Sequence, residues 1–274
     1  MRSTFCHSAL ALTAFAFMLS LGTGAAMAQD HLTEEAREEL RERALRTLEA
    51  TSLRYRELET YRDVTEIHYD VVLKDNQAEA EAAEEYESER MSLSISNPDR
   101  IAFQSEGMAL YADGTSAWLV LDMFGQYMQV DAPDLVIDLP NVLDARMMMG
   151  MMQHPALESK FRDHAQFAGL APDLVSVSRI DFELADGRQY QLIEGTLNYE
   201  SGFSGNVNVN VRYEISTDTN LIERVEYDFT EFYNSMRKSM LEMMGDDAGE
   251  FAAEVPEYER FVMRSRVMNI QINQ

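Results

Sequence analysis

Apolar and polar residues alternate along many short stretches of the chain, a pattern that is typical of half-buried β-strands. One face of the clearest stretch, residues 61–74, carries Tyr61, Asp63, Thr65, Ile67, Tyr69, Val71 and Leu73. Turn-forming residues separate the stretches, and Asp113-Gly114 and Asp186-Gly187 are strong hairpin signals. Because strands joined by tight turns pair in antiparallel fashion, the pattern predicts one antiparallel sheet of about eleven strands.

Three segments interrupt the alternation and have helical character. A helix is predicted from Thr33 to about Leu53, where glutamates follow the threonine and apolar residues recur at helical spacing. Residues 134–170, broken near two prolines, and residues 231–244 are the other two segments. The predicted fold class is therefore α+β, a strongly curved antiparallel sheet with helices covering its concave face.

The first 28 residues are typical of a secretory signal peptide. Arg2 supplies a positive start, residues 9–21 form an apolar run, and Ala26-Met27-Ala28 matches the A-x-A cleavage pattern. The apolar run is shorter than the roughly 20 residues that a membrane-spanning helix needs. We therefore expect residues 1–28 to be removed and residues 29–274 to form a single domain in the periplasm, with no transmembrane segment in the mature chain.

Charge and composition exclude several functions. The chain has 48 acidic and 23 basic residues, a net charge of −25, which argues against nucleic acid as a partner because phosphates require lysine and arginine. The single cysteine, Cys6, lies inside the predicted signal peptide, so disulfides and thiol catalysis are excluded for the mature chain. No H-E-x-x-H, G-x-S-x-G or phosphate-loop motif is present. We predict no catalytic residue, cofactor or metal site, and hence no enzyme.

Methionine is unusually abundant, with 18 residues. Five lie within residues 147–152 and four within residues 236–244, both in predicted helical segments. Methionine is unbranched and keeps an apolar surface adaptable. Because five methionines in six consecutive positions cannot all face one core, some must face solvent, a partner or a cavity. Three interpretations remain: ordinary core packing, a plastic lid over an apolar cavity, or Cu(I) ligation with His154 nearby.

Binding of an apolar ligand needs no polar motif, because each buried methylene contributes about 0.8 kcal/mol. A curved sheet lined by apolar side chains and closed by methionine-rich helices suits an acyl chain. The predicted ligand-binding residues lie on the inner strand faces and in the methionine clusters. They are Ile67, Tyr69, Val71, Met91, Leu93, Phe103, Met147, Met148, Met151, Met240, Met243 and Met244.

The region from Asn97 to Val130 combines a proline turn with a distinctive hairpin. The turn is Asn97-Pro98-Asp99-Arg100, a short strand follows, and the hairpin reads D-G-x-x-x-W from Asp113 to Trp118. This region resembles the lipoprotein-carrier superfamily, which comprises LolA, LolB and their relatives. Within that superfamily it resembles proteins described as predicted periplasmic proteins. The similarity is best over residues 61–130.

The resemblance implies an unclosed β-barrel with a helical lid over a cavity that holds acyl chains, and it implies that Trp118 lies beside that cavity. In the carrier, an arginine immediately before the turn proline latches the lid helix. Here that position is Asn97, and Arg100 follows three residues later. The resemblance therefore implies the fold and the cavity, but not this latch.

We expect a periplasmic carrier or sensor that binds a hydrophobic small molecule or lipid, such as an acyl chain or a lipoprotein, between the curved sheet and the methionine-rich helices. One alternative is a protein-interaction module that docks a protein partner of the cell envelope through its methionine-rich patch. The other is a methionine-rich Cu(I)-binding protein.

Overall fold

The computed structural model describes residues 33–74, 88–122, 125–143, 154–161, 174–201, 205–244 and 256–273. The predicted signal peptide and its cleavage site lie outside the described residues. In the described part of the chain, no helix combines the length and the apolar character that crossing a membrane requires.

Eleven strands form one antiparallel sheet. The strands are β1 (Thr60–Leu73), β2 (Glu89–Ser96), β3 (Arg100–Gln104), β4 (Met108–Asp113), β5 (Ser116–Leu121), β6 (Gln126–Asp131), β7 (Leu174–Ala185), β8 (Arg188–Ser201), β9 (Gly205–Ser216), β10 (Ile222–Asp228) and β11 (Tyr258–Ile272). The number of strands and their antiparallel pairing confirm the prediction from alternation.

The strands are ordered β6-β5-β4-β3-β2-β1-β11-β10-β9-β8-β7 across the sheet. Two runs of consecutive strands are thus joined by a seam in which β1 pairs with β11, and Tyr61 lies opposite Ile272 there. β6 and β7 stand at the two ends, and no pairing between described strands joins them. The sheet is therefore unclosed, as the resemblance implies.

Irregular pairing bends the sheet. The register shifts twice along the β1–β11 seam and twice between β7 and β8. Such bulges increase strand twist and curvature. Gly195 on β8 lies against one of them, where an added Cβ would stand 2.5 Å from the carbonyl oxygen of Ser176. Glycine is required at this position because no side chain fits there.

The hairpin between β4 and β5 shows how the sequence sets a turn. The Asp113 carboxylate accepts hydrogen bonds from the backbone N–H groups of Thr115, at 2.8 Å, and Ser116, at 2.9 Å. These bonds lower the pKa of Asp113. Gly114 has a φ of 87°, a conformation that glycine adopts without strain. The D-G pair thus fixes the turn, and the two strands follow from it.

One face of the sheet is apolar and buried, whereas the other is charged. Along β1, Tyr61, Thr65 and Ile67 are buried and Arg62 and His68 are exposed. A charged row crosses six strands of the outer face in pairing register: His68, Arg264, Glu226, Arg212, Glu194 and Arg179. Exposed pairs of this kind each contribute about 0–1 kcal/mol, so the buried face dominates stability.

Four helices accompany the sheet in the described residues: α1 (Glu34–Glu57), α2 (Leu139–Val142), α3 (Pro155–Phe161) and α4 (Thr230–Met244), with a 3₁₀ turn at Val136–Asp138 before α2. From Leu40 onward, α1 belongs to the same compact unit as the sheet, whereas residues 33–39 fall outside that unit. The Tyr55 hydroxyl fastens α1 to β10, because it accepts a hydrogen bond from the Ile222 N–H at 3.1 Å.

The predicted helical segment 134–170 is described only in part. Pro140 lies in the first turn of α2 and Pro155 begins α3, which agrees with helices broken near these two prolines. All seven residues of α3 are buried, among them Glu158 and Lys160. Residues 144–153 and 162–173 lie outside the described part.

Candidate ligand-binding site

Four of the predicted ligand-binding residues lie close together on the buried face of β1, β2 and β3. Ile67, Met91, Leu93 and Phe103 are each no more than 2% exposed. They share one apolar cluster with residues of α3, and the ring of His154 stands edge-on to Phe103 at 6.5 Å. Because these side chains already pack against protein, a ligand would reach them only if that packing opened.

Tyr69 and Val71 continue the same face of β1 but are only half-buried. The Tyr69 ring stands edge-on to Phe261 of β11, with ring centroids 6.1 Å apart. Burial, and after it the charge of Glu89, raises the pKa of Tyr69. These residues therefore lie where the packed interior gives way to more open surface.

The start of α4 is tied to the sheet by polar and aromatic contacts. Asp228 accepts a hydrogen bond from the Thr230 N–H at 3.1 Å, and the Asn234 side chain exchanges two hydrogen bonds with the backbone of Tyr258. The Tyr233 ring lies 4.4 Å from that of Phe261. These contacts fix the position of the first half of the helix.

The apolar residues of α4 are nevertheless poorly covered, since none of its fifteen residues is buried. Met240 is half-buried, whereas Met243 is 65% exposed and Met244 is 39% exposed. These three predicted ligand-binding residues thus lie together on one partly exposed helix, apart from the packed group on β1 to β3.

Trp118 lies on the opposite face of the sheet. It is half-buried and pairs with Tyr111 and Gln129, whereas its neighbours Ala117 and Leu119 are buried. Successive side chains of a strand point to opposite faces, so Trp118 cannot line the face that Ala117 and Leu119 share. The position beside a cavity that the resemblance implies for this residue stays a prediction.

The remaining predicted residues, Met147, Met148 and Met151, lie outside the described residues. His154, the histidine of the copper interpretation, is fully buried at the start of α3. Its Nε2 lies 3.0 Å from Asp63 Oδ1 and 3.3 Å from Thr65 Oγ1, both on β1. In the sequence, Asp63 and Thr65 are recognisable because they are polar residues on the buried side of the β1 alternation. No pattern in the sequence identifies His154 as their partner.

The cluster is polar but is not arranged as a catalytic triad. Asp63 and Thr65 both contact Nε2 of His154, whereas a triad places the acid and the nucleophile on different ring nitrogens. Asp63 Oδ2 and His154 Nδ1 are buried without a hydrogen-bond partner in the described part of the chain. Within the same residues, no group of three His, Cys, Asp or Glu side chains is placed to hold a metal.

No protein-family model matches the chain, and no curated protein matches it. Among solved structures, the chain is similar to the lipoprotein LppX of Mycobacterium tuberculosis, with 11% identity, 83% of this chain and 95% of that chain covered, and a TM-score of 0.35. It is similar to LprF of Mycobacterium bovis, with 8% identity, coverage of 85% and 97%, and a TM-score of 0.39.

A third similar structure is a LolA superfamily protein of Nitrosomonas europaea, with 9% identity, coverage of 84% and 94%, and a TM-score of 0.28. The superfamily that the sequence resembles is thus among the structural matches. Identities and TM-scores are low throughout, so no residue of these proteins is carried over to this chain.

Proposed function

We propose that this chain binds a hydrophobic ligand, such as a lipid, an acyl chain or a lipoprotein, and serves as a carrier or sensor rather than an enzyme. The observation that carries the proposal is the incomplete burial of the apolar residues of α4. A surface helix normally buries its apolar stripe against the core. Phe232, Met236, Met240 and Leu241 are only half-buried, and Met243 and Met244 are exposed. This apolar surface is suited to cover a ligand.

The magnitudes favour a ligand with a hydrocarbon chain. Ten methylenes taken out of water contribute about 8 kcal/mol, before the costs of association are subtracted. Flexible methionine side chains can adjust to chains of different shape, which an interior of branched residues cannot do. The buried group on β1 to β3 would join the ligand site only if its packing opened.

We also propose that the protein acts in the periplasm, that residues 1–28 are removed during export, and that residues 29–274 form a single domain. The charged start, the short apolar run and the A-x-A sequence of the first 28 residues support this location.

Native mass spectrometry tests the proposal. The protein is purified from the periplasmic fraction and weighed before and after extraction with organic solvent. We expect an excess mass that extraction removes and that proves to be an apolar molecule. A protein that carries no excess mass, and that after extraction does not bind fluorescent fatty acids, would contradict the proposal.

A second candidate is an interaction module of the cell envelope, which the 65% exposure of Met243 favours. A photo-reactive methionine analogue at position 243 separates the two functions in living cells. Capture of one protein partner, with no lipid on the purified protein, supports the interaction module. Capture of lipid at this position supports the carrier.

Titration with Cu(I) tests the copper alternative. That alternative needs a dissociation constant below about micromolar, which corresponds to a binding free energy of about 8 kcal/mol.

A further inference from the structure

Lys160, in the last turn of α3, is a buried cation with no counter-ion among the described residues. The residue is only 5% exposed. The Nζ atom donates hydrogen bonds to the carbonyl oxygen of Arg56, at 3.1 Å, and to Oδ1 of Asn97, at 3.3 Å. An ammonium group has three donors, so one remains. Among the described residues, no carboxylate forms an ion pair with Lys160.

Such an arrangement is costly, because buried charges are normally paired. Burial, with the nearby positive charge of Arg56, lowers the pKa of Lys160 from 10.5 to about 8. The group is nonetheless still protonated in most molecules at neutral pH. A negative charge placed beside it would offset the cost of burial.

A cleft of about 240 Å³ opens at this lysine. Among the described residues, its lining contains two basic side chains and no acidic one: Arg56, Asn97, Pro98, Leu135, Ile137 and Lys160. Other clefts in the described part mix both signs of charge, such as the groove beside α4 and the one on the outer sheet face. In a chain with a net charge of −25, a cleft that contains cations and lacks carboxylates is selective for anions.

Apart from the two basic residues and Asn97, the walls of the cleft are apolar, and Leu135 is 44% exposed there. The volume is below the range of about 300–1,000 Å³ that holds a whole drug-sized ligand. It suits a small head group together with the first carbons of a chain that runs along Pro98, Leu135 and Ile137.

We propose that the Lys160 cleft binds the anionic head group, a carboxylate or a phosphate, of an acidic amphiphile. This inference rests on the proposed function and narrows the ligand to acidic amphiphiles. The third N–H of the lysine would donate to the head group, and the apolar walls would contact the adjoining carbons.

A purely structural role of Lys160 gives different expectations. The Arg56 carbonyl lies in the last turn of α1, where a cation stabilises the unpaired carbonyl groups and the negative end of the helix dipole. In that case the lysine would support α1 but would not influence the choice of ligand.

Calorimetric titration of the full, solvent-extracted chain distinguishes the two roles. The probes share one chain length: dodecanoate, dodecyl phosphate and 1-dodecanol. We expect each anion to bind about tenfold more tightly than the alcohol, a difference of about 1.4 kcal/mol. Lys160→Met should remove this preference and Lys160→Arg should keep most of it. Lys74→Met, which removes an exposed lysine paired with Glu257, is the matched control and should behave as the wild type.

The outcomes separate this inference from the proposed function. Equal binding of the acids and the alcohol overturns the inference and leaves the proposed function intact. No binding of any probe overturns the proposed function, and the inference with it. If acetate or inorganic phosphate binds as tightly as the amphiphiles, the cleft is a site for free anions and the inference is wrong. Should Lys160→Met fail to fold, the wild-type probe series and Lys160→Arg still decide the question.

Discussion

Asp63 and His154 bring two ionisable side chains into a mainly apolar interior. Each is essentially unexposed, and their contact at 3.0 Å satisfies one carboxylate oxygen and one ring nitrogen. Burial, and after it the charge of Asp63, raises the pKa of Tyr55, which keeps that phenol protonated. The contact links β1 to the start of α3, so it bears directly on whether α3 can move.

Removing one partner of this pair should be more harmful than removing both. His154→Leu leaves the Asp63 carboxylate buried with only the long hydrogen bond from the Thr65 hydroxyl, at 3.5 Å, and we expect a loss of about 3–5 kcal/mol in the free energy of unfolding. The double variant Asp63→Leu/His154→Leu should be more stable than His154→Leu alone, because no uncompensated charge remains. Urea denaturation measures Asp63→Leu, His154→Leu and the double variant. A double variant that loses the sum of the two single losses would show that the pair itself is not coupled.

Lys160 gives the stability a defined pH dependence. Its pKa is about 8 in the folded chain, against an ordinary value of 10.5. Between these values the unfolded chain binds more protons, so this residue makes the protein more stable as the pH rises from about 8 to 10.5. We expect the wild type to gain stability over this range relative to Lys160→Met, in urea denaturation at several pH values. A constant difference between the two proteins would contradict the low pKa.

Residue identity alone reveals only part of these sites. Asp63 stands out in the sequence because it interrupts the apolar side of a strand. His154 and Lys160 do not stand out, because their partners lie far away in the chain and only packing of α3 brings them together. Trp118 is conspicuous as the single tryptophan, but only the alternation along β5 indicates which face of the sheet it occupies.

At the scale of elements, α4 is the feature that the proposed function depends on. Met243→Asp/Met244→Asp should lower the affinity for the apolar ligand that native mass spectrometry identifies about tenfold or more, because carboxylates beside an apolar ligand must lose water. Its free energy of unfolding should change by less than about 1 kcal/mol, because both residues are exposed. Calorimetry and urea denaturation measure the two quantities.

The matched control for this variant is Phe182→Asp/Leu184→Asp on β7. These two apolar residues are also exposed, at 49% and 79%, and lie away from α4. The control should leave both affinity and stability nearly unchanged. If it weakens binding as much as the α4 variant does, added negative charge alone is responsible and α4 has no special role.

Strands are predictable from this sequence, but the short helices are not. Alternation is a local property, and it gives the bounds of β1 to within one residue. The region around α2 and α3 has no such period, since α3 is buried on all sides and shows no polar face. Its position depends on contacts with the sheet, which no local pattern encodes.

The whole molecule is organised around one seam. Hairpin signals predict that consecutive strands pair, and they do so from β1 to β6 and from β7 to β11. They cannot predict that β1 pairs with β11, because this pairing depends on which edges of the two half-sheets meet. The strands β1 to β6 and the strands β7 to β11 share one apolar face. The buried group on β1 to β3 and the surface beside α4 therefore belong to the same interior.

The seam has a consequence for how the chain is made. During synthesis β1 emerges early, but its partner β11 is the last of the described strands to appear. Contacts between such distant segments form late because the loop they close is long. Until then one edge of β1 has no neighbour and can recruit a strand from another molecule. Protection of the nascent chain is therefore needed for as long as β11 is missing, and a chain cut short before β11 would be more prone to aggregate than to form a smaller folded protein.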